Sequence, residues 1–181
     1  MLGRAHESAE DLREQLDLLD DQVMRYGRAI ETAAPARAAG YVVPATQVEG
    51  AEIAHQAARL ADRAVQSGDS RDHDRARALR KVAGHLHELD CALGGRRGED
   101  TLGHDAYDVV TAALAAALDV FARPDILGLA RLQDRVDRLL DHVDHHPGLR
   151  QLAVPLMGIG TAAEFAWASH PHVQRVTAAT S

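Results

Sequence analysis

The stretch Leu12-Arg-Glu-Gln-Leu16-Asp-Leu-Leu19-Asp-Asp-Gln-Val23-Met-Arg-Tyr26-Gly-Arg-Ala-Ile30 decides the fold. Leu12, Leu16, Leu19, Val23, Tyr26 and Ile30 follow one another at spacings of 4, 3, 4, 3 and 4. A helix turns once every 3.6 residues, so this spacing lines one face; a half-buried strand would alternate instead. Arg13, Asp17, Asp21, Arg25 and Arg28 take the opposite face. The pattern predicts a long amphipathic helix with a heptad-like seam. Ser8-Ala-Glu-Asp11 resembles a capping box and sets the expected start near Ser8. Pro35 is expected to end or bend the helix, because proline lacks the amide donor and crowds the preceding turn.

Outward from this seam the helical period recurs five more times. Residues 35–46 read as a connection, with Gly40-Tyr-Val-Val-Pro44 the one extended-looking stretch. Thr46-Gln-Val-Glu49 marks the start of helix two, whose apolar side is Val48, Ile53, Ala57, Leu60, Ala61, Ala64 and Val65. Ser67-Gly-Asp-Ser70 stops it. Helix three covers about 71–93, with Leu79, Val82, Ala83, Leu86, Leu89 and Leu93 on its seam and Gly94-Gly95 as a left-handed stop. Residues 94–103 are the clearest loop, and a two-unit chain would divide there. Helix four, about 104–122, is apolar over most of its circumference, as a helix buried among others is. Pro124 suits the first position of helix five, which Pro147 limits. Helix six begins near Gly148, and Pro155 with Gly158 and Gly160 is expected to kink or split it. Residues 172–181 read as a short helix or a frayed tail. The expected fold is all-α, a single-domain antiparallel bundle of five to seven helices. Val110, Leu114, Leu118, Ile159 and Phe165 are expected at the centre of its core or on a self-association surface.

Composition narrows the function. The 181 residues include 20 Lys+Arg against 27 Asp+Glu, a formal charge of −7, and 46% are apolar. The longest apolar run, from Val109 to Leu118 with Thr111 inside it, is far short of the ~20 residues a bilayer span needs. No signal-peptide pattern opens the chain, and the single Cys91 cannot form an intramolecular disulfide, so the expected compartment is the cytoplasm. Nineteen arginines, one lysine and 34 alanines fit a GC-rich bacterial genome, so abundant arginine does not by itself signal anion binding. Six aromatic residues and a net negative charge argue against a nucleic-acid partner.

Eleven histidines raise the question of metal. Glu52-Ile-Ala-His55 has the Glu-x-x-His spacing of di-iron bundles, but no second copy of it exists here. His142-Val-Asp-His-His146 sets His142 and His146 one turn apart, a chelating spacing. It also falls where helix five should end, and histidine there offsets the dipole. A metal-binding bundle, enzyme or sensor, would draw on Glu52, His55, His85, His142 and His146. It is the alternative reading; the leading one has no cofactor and no metal. Arg80 and His85 share the Arg-x4-His spacing of some helical ribonucleases. No Gly-x-Ser-x-Gly, Walker A or His-Glu-x-x-His motif is present, and Asp90 beside Cys91 disfavours a thiolate.

Two partial likenesses remain. Leu12-Arg13, Leu16-Asp17, Leu19-Asp20 and Val23 resemble the opening helix of the all-helical chorismate mutases. That likeness implies an active-site arginine near Ile30, and Arg28 points about 160° away from the matching position. Thr161-Ala-Ala-Glu-Phe-Ala166 with Val173-Gln-Arg-Val176 looks like a compressed helix-turn-helix, in which His170-Pro171 replaces the usual turn glycine and Arg175 alone supplies charge. The expected function is a non-catalytic helical interaction or scaffold protein, with a protein partner or a second copy of itself.

Overall fold

The opening seam folds as one helix, α1 (Leu2–Ala38), about 55 Å long. The computed structural model describes residues 2–38, 45–94, 104–123, 125–142 and 149–168. Five more helices follow: α2 (Ala45–Ser67), α3 (Ser70–Gly94), α4 (His104–Ala122), α5 (Ile126–Asp141) and α6 (Arg150–Ala168). Among the described residues there is no strand. No described helix is long and apolar enough to cross a membrane. Tyr41-Val-Val43, most of the 94–103 loop and residues 172–181 lie outside the described residues.

The helix ends depart from expectation in ways that packing explains. α1 starts at Leu2, so Ser8-Ala-Glu-Asp11 lies inside the helix and does not mark its start. It also runs past Pro35 to Ala38. The seam continues through buried Ala34, and Arg37 is drawn into the core, so the last turn has tertiary partners that outweigh the lost hydrogen bond. α5 starts at Ile126 with Asp125 as its cap, not at Pro124. It ends at Asp141, six residues before Pro147, with His142 as C-cap. α6 runs unbroken through Pro155, Gly158 and Gly160. Its glycines serve close approach instead: a Cβ on Gly160 would lie 2.9 Å from Leu132 Cδ2.

Neighbour relations define the architecture. α2 packs on α1 and α3, and α5 packs on α4 and α6. The two trios meet where α1 lies on α4 and α3 on α6. The central helices therefore form a ring, α1–α3–α6–α4, flanked by α2 on one side and α5 on the other. Leu12, Leu16, Leu19, Val23, Tyr26 and Ile30 are all buried in that ring. Gly27 lets α4 come close to α1, since a Cβ there would sit 2.6 Å from Leu118 Cδ2. The α2–α3 link is tight. Gly68 takes a positive φ of 76°, and Asp69 caps α3 by accepting from the Arg71 amide at 2.9 Å.

Val110, Leu114, Leu118 and Ile159 are each no more than 1% exposed within a single chain. The side chain of Phe165 lies outside the described residues. The surface-forming option expected for these four residues is thus overturned: α1, α5 and α6 pack on α4 and bury its Val110, Leu114 and Leu118, and any self-association must use another face. α5, the charged helix, lies outermost and buries only Gly128, Leu132, Val136 and Leu139.

Candidate functional site: an arginine-walled groove between α4 and α5

The α4 face turned away from the ring is made of small residues. Ala112, Ala115, Ala116 and Ala122 share it with Asp119. Short side chains keep this face low, while α5 and α1 rise on either side with arginine. The result is a hollow of about 770 Å³ whose charged lining is Arg28, Asp119, Arg123, Asp125, Arg131 and Arg135. A second hollow, about 440 Å³, continues it through Ala112 and Arg135 to Asp108, Arg138, Asp141 and His142. The floor from Asp108 to Arg123 spans about 22 Å of helix axis.

Charge in the groove is unevenly compensated. Arg28 Nη2 meets Asp119 Oδ1 at 2.6 Å, and Nη1 meets Glu31 Oε2 at 2.8 Å. Glu31 first, then Asp119, holds the Arg28 guanidinium above its ordinary pKa. Asp125 accepts from the Gly128 amide at the start of α5. Both carboxylates of the larger hollow are therefore engaged. The guanidinium groups of Arg123, Arg131 and Arg135 have no ion pair or hydrogen bond among the described residues. Arg138 is held by Asp134 one turn away, at 3.0 Å. The α5 wall is regular: Gly128, Arg131, Arg135, Arg138 and His142 recur at spacings of 3, 4, 3 and 4. This stripe adjoins the buried one of Leu132, Val136 and Leu139, so burying the latter aims the former into the groove. The larger hollow, an alanine floor among four arginines and two engaged carboxylates, can hold an anion together with an apolar contact; the smaller one also carries the exposed carboxylates Asp108 and Asp141. Among the described residues neither hollow is lined by a cysteine, serine or threonine.

The histidines expected as metal ligands do not converge. Glu52 and His55 are exposed on α2. His85 Nδ1 donates to Glu88 Oε2 at 3.1 Å. Its Nε2 packs so tightly on Gly158 that a Cβ there would collide. His142 Nδ1 donates to the Arg138 carbonyl at 2.7 Å, which is the helix-ending role. His146 lies outside the described residues. Among the described residues no three His, Cys, Asp or Glu side chains are placed to hold a metal ion.

Arg80 and His85 do share a hollow of about 350 Å³ with Arg77, Lys81, Gly84 and Glu88. Every one of these residues belongs to α3, so among the described residues the lining comes from a single helix. Cys91 is exposed, and burial together with the Asp90 carboxylate pushes its thiol up, away from thiolate chemistry. Ile30 is fully buried, so α1 offers no arginine where the chorismate mutase likeness would need one. Of the helix-turn-helix likeness, 161–168 belongs to α6, and 169–176 lies outside the described residues.

One buried polar cluster escaped the sequence reading. Asp90 on α3 is fully buried; its Oδ2 accepts from Tyr26 Oη at 2.9 Å, and its Oδ1 pairs with Arg37 Nη2. Burial, then the Asp90 charge, pushes the Tyr26 phenol above its ordinary pKa. The cluster joins the middle and the end of α1 to α3, and Gly50 of α2 lies against the Tyr26 hydroxyl. Buried and paired across helices, it fixes the register of α1 against α3. Comparison with protein-family models, curated proteins and solved structures finds no match for this chain.

Proposed function

We propose that this chain is a non-catalytic helical interaction protein of a bacterial cytoplasm, and that its recognition surface is the α4–α5 groove. The observation that carries the reading is the set of three uncompensated arginines, Arg123, Arg131 and Arg135, over an alanine floor. In a chain of net charge −7, arginine gathered in one concave strip favours carboxylate-bearing surfaces at that strip. A helix can lie on alanine, because small side chains let backbones approach to about 8 Å. The occupant is therefore an acidic helical protein surface.

Alanine-methyl NMR tests this directly. A helical peptide rich in glutamate should shift the methyl signals of Ala112, Ala115 and Ala116, and a lysine-rich peptide of equal length should not. Arg131→Glu with Arg135→Glu should abolish the shifts. Shifts confined to other methyls, or equal responses to both peptides, would overturn the reading.

A further inference from the structure

The acidic surface that fits the groove is present on the same chain. On α1, Glu14, Leu18, Asp21, Arg25 and Arg28 recur at spacings of 4, 3, 4 and 3, and so share one face opposite the buried seam. Glu14 and Asp21 are exposed and have no ion pair among the described residues. Leu18 stands between them, 54% exposed, a large apolar side chain on an otherwise charged surface. The stripe thus presents one apolar knob flanked by two carboxylates. The groove presents an alanine floor flanked by cations.

The two surfaces lie on one side of the molecule, because Arg28 belongs both to the α1 face and to the groove wall. We infer that the occupant of the groove is the Glu14–Leu18–Asp21 stripe of a second copy, giving a two-fold dimer in which each copy supplies one stripe and one groove. A two-fold relation lets each copy supply one stripe and receive one in its groove. It buries both uncompensated sets of charge and closes the assembly without leaving a free end. Leu18 then covers alanine in the partner groove instead of facing water. This inference rests on the groove being a recognition surface for carboxylates, and it names the source of those carboxylates.

Charge exchange tests it, read by sedimentation equilibrium. The four substituted positions are exposed, and circular dichroism melts check that each variant keeps its fold. The wild-type chain should have twice the 19.5 kDa chain mass, with a dissociation constant that rises with salt. Arg131→Glu with Arg135→Glu should raise that constant by at least about 100-fold, because like charges then face each other in both contacts. Glu14→Arg with Asp21→Arg should do the same. Mixing the two variants restores opposite charges in both contacts and should bring back dimer mass, as should one chain carrying all four substitutions.

A dimer insensitive to both reversals uses another face and overturns the inference. Reversals that give monomers without rescue show that these stripes do not meet, which also overturns it. A monomeric wild type whose Ala112, Ala115 and Ala116 methyls still respond to the glutamate-rich peptide removes the second copy and leaves the groove reading standing. A monomer whose methyls do not respond removes both.

Discussion

Replacing Asp90 by alanine is the sharpest probe of how this bundle is held in register. The Arg37 and Asp90 side chains are 2% and 0% exposed, and the two residues are 53 positions apart in the chain. Removing the carboxylate leaves the guanidinium without that buried counter-charge and deprives the Tyr26 hydroxyl of its acceptor. Breaking a buried pair from one side costs about 3–5 kcal/mol, because the remaining charge stays desolvated. A domain of this kind has about 5–15 kcal/mol in total. With a urea m-value of about 2 kcal/mol/M, the unfolding midpoint should fall by about 1.5–2.5 M. The assay is urea denaturation followed by helical circular dichroism, with Tyr26→Phe as comparison. That variant keeps the ion pair and should lose only about 1–2 kcal/mol. A double replacement, Arg37→Met with Asp90→Leu, should recover much of the loss, since it leaves no buried charge. If Asp90→Ala shifts the midpoint by less than about 0.5 M, the pair is solvated and the register argument fails.

Three further outcomes follow from the packing. Gly50→Ala drives a methyl into the Tyr26 hydroxyl and against His87, and should cost about 1–3 kcal/mol. The cost should shrink in a Tyr26→Phe background, and strictly additive urea midpoints would count against the contact. Leu114→Asp places a carboxylate at a position 1% exposed within one chain, and should abolish the cooperative thermal transition or lower stability by about 4 kcal/mol or more. An unchanged melt would mean that α4 is not central. Asp69 is held below its ordinary value near 3.9, first by the Arg71 amide it caps. Its folded pKa is the lower one, so its contribution is present above the unfolded value and is lost as pH falls through the folded value. The gap between wild type and Asp69→Asn should be widest above about pH 4 and close in stronger acid; a gap that widens there would contradict the capping role.

The helices and most of the core were legible residue by residue. The α1 seam, the Leu79–Leu93 seam of α3 and the buried Val110, Leu114 and Leu118 of α4 are patterns of neighbouring residues, and periodicity is a local property that needs no partner. The leading features of the groove were written in the same code, as an alanine face on α4 and an arginine stripe on α5. They were not readable as a site, because arginine is abundant throughout the chain and the sequence does not say which stripe faces which helix.

What the sequence determined by itself is therefore the all-helical class, most of the buried faces and the absence of familiar catalytic motifs; Val48 and Val65, read as part of the apolar side of helix two, stay exposed. Tertiary structure alone decided the rest. α1 continues past Pro35 and α6 past Pro155 because packing supplies energy that local rules do not count. Asp90, which the sequence offered only as an acidic neighbour of Cys91, becomes the anchor of Arg37 and Tyr26 once α3 lies on α1. Arg28 and Asp119 meet across 91 positions to close one wall of the groove. Each of these depends on which surfaces are brought together and removed from water, and that is a property of the assembled bundle, not of any stretch of chain within it.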